Sequence, residues 1–258
     1  MTAFADLLAS PTRRLGTWSQ IAAPEVIDMI GLNGFDFIVI DCQHGPFGIA
    51  EAERMARAAA ATGLAAAVRV SRLDEVEIMK ALDAGISHVV VPDVANAEQA
   101  ARAVAATRFG PEGARGACPC VRSGGHFVRD WQGYVAREEG RTGIVALVES
   151  AEGVANAEAI CATPGLAAVM AGPFDLSVSM GLGGDWRDAR VTQALERLVA
   201  LARENGLPAI MPVFSPDPEE CRALAAHWQA RGVSILMIGS DKILIANAFE
   251  KWTGALGG

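Results

Sequence analysis

The chain has 258 residues, of which 51% are hydrophobic and 20% charged, and its formal net charge is −8. That length can bury a large core without a disulfide staple, and the acidic balance excludes a nucleic-acid groove and an anionic membrane surface as partners. The five cysteines, at 42, 118, 120, 161 and 221, are scattered and odd in number, as expected of reduced thiols in a cytoplasmic protein. Cys118-Pro-Cys120 has no second pair at similar spacing, so a structural zinc is not expected there. No signal pattern opens the sequence, and no apolar run nears the ~20 residues of a membrane span.

One rhythm repeats along the chain: a short apolar run, a polar tip, then an alanine-rich amphipathic stretch closed by glycine. The apolar runs lie at 15–18, 35–41, 64–70, 88–94, 143–150, 166–175, 207–214 and 233–241. Each is followed by a stretch with helical spacing, such as PEVIDMIGLNG after the first and KILIANAFEKW after the last. Asp74 begins one of these helices and Asn96 is placed to cap another. Continuous rather than alternating apolar strands are what a parallel sheet covered by helices requires. Eight such units in about 250 residues predict an α/β fold, a parallel eight-stranded TIM (β/α)8 barrel, as a single domain over 1–258. A doubly wound open sheet would carry a glycine-rich turn after its first strand, and LGTWSQ has none. Two segments interrupt the rhythm: 109–142 follows a helix and so starts on the face opposite the barrel mouth, whereas 176–190 lies on the mouth itself.

Barrel chemistry collects at the C-terminal ends of the strands. Those ends carry Asp41 and His44, Arg69, Asp93, Glu149, Asp175, and Ser240 with Asp241. Glu149 and Asp175 end consecutive strands, which are neighbours in a barrel, and two carboxylates so placed suit a hard divalent cation such as Mg²⁺ or Mn²⁺. Arg69 is the one charge in LAAAVRV and needs an anion if it is buried: either a structural partner, Asp41 or Glu149, or a developing oxyanion. His44 follows Asp41 by three residues, close enough for the carboxylate to fix its tautomer and make it a general base. The three lysines, 80, 242 and 251, all lie outside the strands, which excludes a Schiff-base lysine on a barrel strand. At coarse barrel geometry Trp18, Pro212 and Val213, with Phe214, line the substrate pocket.

The stretches FDFIVIDCQHGP, AVRV, FGPEGARG, ALVESAEGVAN and AGPFDLSVSMG, in this order, resemble the HpcH/HpaI family of class II pyruvate aldolases, those that act on hydroxy-oxo-heptanedioate and similar acids. The similarity spans essentially the whole chain. It implies reversible aldol cleavage of 4-hydroxy-2-oxo acids to pyruvate, or a related 2-oxo acid, and an aldehyde. It also implies a divalent metal on Glu149 and Asp175 (Mg²⁺ or Mn²⁺, with Co²⁺ or Zn²⁺ as alternatives) that chelates the keto acid. In that scheme Gly172, Pro173 and Phe174 bind substrate, with backbone amides on the carboxylate. Arg69 faces the enolate oxygen, and His44, oriented by Asp41, moves protons at the hydroxyl. A homo-oligomer, trimer or hexamer, with an exchanged C-terminal helix is implied as well.

Two positions depart from the family pattern: Gln43 where a Glu is usual before the His, and Leu147 where a Gln is usual before the metal Glu. Asp93 as a third carboxylate would instead give an enolising lyase or isomerase. A CoA-ester lyase and a non-catalytic ligand-binding barrel are the further alternatives.

Overall fold

In the computed structural model, which describes residues 4–257, eight parallel strands close on themselves in sequence order. A short helix α1 (Phe4–Leu8) precedes β1 (Arg14–Ser19), α2 (Pro24–Leu32), β2 (Phe37–Asp41) and α3 (Ile49–Thr62). Then come β3 (Ala65–Arg69), α4 (Glu75–Asp83), β4 (His88–Val91), α5 (Ala97–Ala105) and α6 (Trp131–Arg141). The second half runs β5 (Gly143–Val148), α7 (Ala151–Ala155), α8 (Ala157–Cys161), β6 (Leu166–Ala171), α9 (Pro173–Ser179) and α10 (Ala189–Glu204). It ends with β7 (Ala209–Val213), α11 (Pro218–Gln229), β8 (Ile235–Ser240) and α12 (Asp241–Ala255). The expected barrel and the Asn96 cap are present, Asn96 accepting Gln99 N–H, and Asp74, expected to begin α4, instead caps it by accepting the N–H groups of Val76 and Glu77.

The continuous apolar strands serve two cores at once. Ile38, Ile40, Val68, Ile144 and Val169 point outward into the layer between barrel and helices. Val39, Ala67, Val145, Leu147 and Met170, one residue out of step with them, fill the barrel interior. Small and large residues interlock there: a Cβ on Gly16 would lie 2.3 Å from the Phe37 ring.

The sequence left α1 unassigned, because five residues carry too little periodicity to read. It plugs the barrel floor, where Phe4 meets Phe37 edge to face at 5.7 Å and stacks obliquely on His88 at 5.0 Å. The 109–142 insertion is pinned by the buried Arg115, which bridges Asp83 (2.8 Å) and Glu138 (3.1 Å) and lies over Phe109. Strand β6 stops at Ala171 rather than running to 175. Pro173 has no N–H for the ladder and its fixed φ starts α9 instead. Among the described residues no helix is long and apolar enough to cross a membrane.

His88 gives the barrel floor a pH dependence. Burial first, then the Arg141 charge, hold its imidazole down at about 4, against 6.5 in the unfolded chain. The unfolded chain therefore takes up the proton first, so the contribution is complete above pH 6.5 and is lost as pH falls toward 4. Across that window wild type should lose about 3 kcal/mol of stability that His88→Leu does not lose, read by urea unfolding at several pH values. Equal pH slopes in the two proteins would refute the assignment.

Candidate active site

The site is the top layer of the barrel interior. Inward-facing residues recur every second position, so the series 37-39-41, 65-67-69, 145-147-149 and 168-170-172 end on Asp41, Arg69, Glu149 and Gly172. The series from β1 and β7 end on Trp18 with Gln20, and on Pro212 with Phe214. One cavity of about 160 Å³ collects these ends. Of the expected residues, Trp18, His44, Arg69 and Glu149 line it, as do Gly172, Pro173, Phe174, Asp175 and Pro212.

Asp41 lies beneath the cavity, fully buried, and it differs from expectation in what it holds. Its carboxylate grips Arg69 with both oxygens, Nε to Oδ1 at 2.9 Å and Nη2 to Oδ2 at 2.6 Å. Oδ2 also accepts Gln20 Nε2 at 2.8 Å, and Oδ1 accepts the backbone N–H groups of Gln43 and His44. Among the described residues it makes no hydrogen bond to the His44 ring, so the expected Asp41–His44 dyad is corrected. Asp41 orients Arg69 directly and His44 only through the loop backbone. The physical reason is register: Asp41 and Arg69 are partners across β2 and β3 and both point inward. Burial alone would raise the Asp41 carboxyl, but the Arg69 bonds and charge, with Gln20 and the His44 amide, hold it below its ordinary value. Trp18 completes the clamp, its ring 4.2 Å from the Arg69 guanidinium.

Glu149 is 7% exposed, whereas Asp175, in the first turn of α9, is exposed. Burial first, then the Asp175 charge, push the Glu149 carboxyl up to about 7, although the Asp93 amide and the Arg69 charge oppose this. The amide of Asp93 donates to Glu149 Oε1 at 3.0 Å, from a residue held at φ 49°. Asp93 itself is exposed and does not line the cavity, and among the described residues no three His, Cys, Asp or Glu side chains gather around one point. The third-carboxylate alternative therefore has no geometric support. Gly172 is required by space: a Cβ there would lie 2.3 Å from Glu149 Cβ and 2.7 Å from Oε2. Intrahelical bonding of α9 begins with Leu176 N–H to the Gly172 carbonyl, so the amides of Phe174 and Asp175 come before it.

Val213 is corrected. It is one position out of step with Pro212, so its side chain faces the outer layer and lines a different cavity, beside Leu15 and Ile238. Phe214, back in step, takes the place on the site wall. Gln20, Leu147 and Ile243 also line the cavity without having been singled out as site residues. The signal for the first was available, since Gln20 continues the inward series 16-18-20. Ser240 caps α12 through Ile243 N–H, and Asp241 fastens β1 to β8 by accepting from Ser19 Oγ, Gln20 N and Ile21 N. Cys42 is packing, buried against carboxylates with its thiol pushed up to about 12.

The profile of the family described as HpcH/HpaI aldolase/citrate lyase matches residues 14–240. A 5-keto-4-deoxy-D-glucarate aldolase from Klebsiella pneumoniae subsp. pneumoniae is 32% identical over 252 residues, covering 98% of this chain and 95% of that protein. An HpcH/HpaI aldolase/citrate lyase family protein from Burkholderia cenocepacia J2315 superposes with a TM-score of 0.90 at 27% identity, each chain covered completely. The HpcH/HpaI aldolase from Desulfitobacterium hafniense DCB-2 also reaches 0.90, over 99% of this chain and 97% of that one; at 22% identity it bears on the fold alone. The chain belongs to the HpcH/HpaI aldolase/citrate lyase family and is a carbon–carbon lyase of the aldolase type.

Proposed function

We propose that the enzyme reversibly cleaves 4-hydroxy-2-oxo acids to pyruvate, or a closely related 2-oxo acid, and an aldehyde, using a divalent cation held by Glu149 and Asp175. One observation carries this reading. Two carboxylates share a cavity whose only cation, among the described lining residues, is already neutralised by Asp41. Like charges so placed, one of them buried, call for a hard cation, and all-oxygen donors suit Mg²⁺ or Mn²⁺. A divalent cation bound there would polarise the keto group of the acid. In cleavage, the C4 hydroxyl loses its proton, the C3–C4 bond breaks with its electron pair moving to C3, and the aldehyde departs. His44, exposed at the cavity mouth, is positioned to take that hydroxyl proton, directly or through water. Arg69 is committed to Asp41 through Nε and Nη2, and its remaining arm, Nη1, suits the oxygen that becomes negative as the pair spreads onto the 2-oxo group. The amides of Phe174 and Asp175 are placed for the acid's carboxylate.

Pyruvate release from a 4-hydroxy-2-oxo acid should stop in EDTA and return with Mg²⁺ or Mn²⁺, while Glu149→Ala and Asp175→Ala should not respond to added metal. Full turnover of both variants in EDTA would refute the metal assignment.

The roles of Asp41 can be separated by double-mutant cycles on kcat. Asp41→Asn and Arg69→Lys should couple by about 0.5–3 kcal/mol, as expected for side chains in one hydrogen-bonded pair, whereas Asp41→Asn and His44→Asn should be nearly additive. Strong coupling to His44 and none to Arg69 would restore the dyad.

A homo-oligomer, trimer or hexamer, is proposed as well. Phe249, Trp252 and Leu256 on or just past α12 are 68%, 69% and 84% exposed, an apolar face left uncovered among the described residues. Sedimentation should find an assembly that Phe249→Asp/Trp252→Asp dissociates; a wild-type monomer at micromolar concentration would count against it.

A further inference from the structure

The cavity has a charged side and an apolar side. Glu149, Gly172 and Asp175 stand at the ends of β5 and β6, and Arg69 and His44 follow from β3 and β2. In the other direction around the barrel, β7, the start of α12 and β1 present Pro212, Phe214, Ile243 and Trp18. The polar residues on that side are both engaged: the Ser240 hydroxyl oxygen accepts the Ile243 N–H, and Gln20 donates its Nε2 to Asp41. Arg69 is the one cation among the described lining residues, and Asp41 occupies two of its nitrogens. A carboxylate on the aldehyde would therefore be buried against rings and aliphatic carbon, with no free cation on that side to meet it. Burying an ion without a partner is among the costliest events in a protein site.

Behind this wall lies a second cavity of about 120 Å³. Pro173, Pro212 and Phe214 line both spaces, so they form the partition. The far chamber is bounded by Trp186, Leu195, Met211 and Trp228. Its cation, Arg187, is paired with Glu220 through Nε at 2.8 Å and Nη2 at 3.0 Å and stacked 4.1 Å from Trp186. The extension beyond the partition thus offers apolar volume and no free charge. Of the partition residues the two prolines are fixed by their rings, which leaves Phe214 as the one whose truncation opens the far chamber.

We infer that the aldehyde half of the substrate is uncharged and apolar, and that the Phe214 ring sets its length. The inference rests on the aldolase reading above and narrows it. It also separates this chain from the Klebsiella relative, whose named substrate is a glucarate, a diacid.

The test compares aldehydes that differ only in the feature at issue, condensed with pyruvate by the metal-loaded enzyme. Butanal and 4-oxobutanoate share a four-carbon chain, and the second carries a terminal carboxylate. Butanal should be preferred in kcat/KM by at least about tenfold, the scale on which a pocket rejects a group it cannot pair. Phe214→Ala should raise hexanal relative to butanal by about tenfold, with Phe214→Leu intermediate and serving if the alanine variant does not fold. Metal-dependent proton exchange at the pyruvate methyl group, measured without aldehyde, reports the donor half separately. Exchange without a preference for butanal, or with an unchanged length preference in both Phe214 variants, overturns the inference alone. No exchange and no condensation with either aldehyde overturns the aldolase reading and the inference with it.

Discussion

Neither Asp41 nor Arg69 could be buried alone at the mouth of the barrel. Each would forfeit several kcal/mol of hydration, and removing one partner of such a pair typically costs about 3–5 kcal/mol. Because they are register partners on adjacent strands, the two meet without any detour of the chain, oxygen for nitrogen, at 2.9 and 2.6 Å. The rest of the rim follows from that pairing. The guanidinium sits over the Trp18 ring, Gln20 donates to the carboxylate, and the β2–α3 turn is folded onto Oδ1 by two backbone amides. His44 owes its position to that turn, so the imidazole and the guanidinium are set by one carboxylate through different atoms.

Neutralising Arg69 has a consequence on the other side of the cavity. With the guanidinium held by Asp41, burial first and then the Asp175 charge raise the Glu149 carboxyl, and the Asp93 amide and the Arg69 charge offset this only in part. The fold accepts further cost to keep this arrangement. Asp93 is held at φ 49°, a region that disfavours a residue with a side chain by about 1–3 kcal/mol, and its amide is aimed at Glu149 Oε1. Gly172 gives up a side chain so that β6 can approach the same carboxylate. Strain and close approach converge on one carboxylate, that of Glu149, to which the proposed cation is assigned.

Much of this was legible in the sequence, for a definite reason. Asp41, Arg69, Glu149 and Gly172 interrupt or end apolar runs, and polar groups at strand ends stand out against such a background. What could not be read was which way each strand residue faces. Alternation normally gives that, but strands buried on both faces show no alternation, so Val213 and Phe214 were indistinguishable until the barrel register fixed their parity. The role of Asp41 was left open for a related reason. Proximity along the chain favoured His44, three residues away, as the group it orients, while Arg69, 28 residues away and directly opposite across the sheet, was one of the pairings left open. The five residues of α1 carried no period long enough to detect, though Phe4, Leu7 and Leu8 are buried under the barrel floor.

Parity also sorts the two positions at which the chain departs from its family's usual residues. Gln43 is off the inward series: it donates its backbone N–H to Asp41, lies outside the cavity lining, and leaves Oε1 buried without a partner among the described residues. An amide oxygen in that state costs about 1–3 kcal/mol, and an ionised carboxylate there would cost more unless a cation met it. The exchange of Glu for Gln thus belongs to the stability of the turn that carries His44. Leu147 is on the inward series, 1% exposed, and forms part of the cavity lining two residues below Glu149. An amide at 147 would offer a substrate hydroxyl a partner; leucine offers only surface. The same substitution that removes a polar contact adds an apolar residue from β5 to a cavity whose other side presents Trp18, Pro212, Phe214 and Ile243. In the proposed reading, selectivity for the aldehyde half is therefore set by these apolar side chains and not by a free charge.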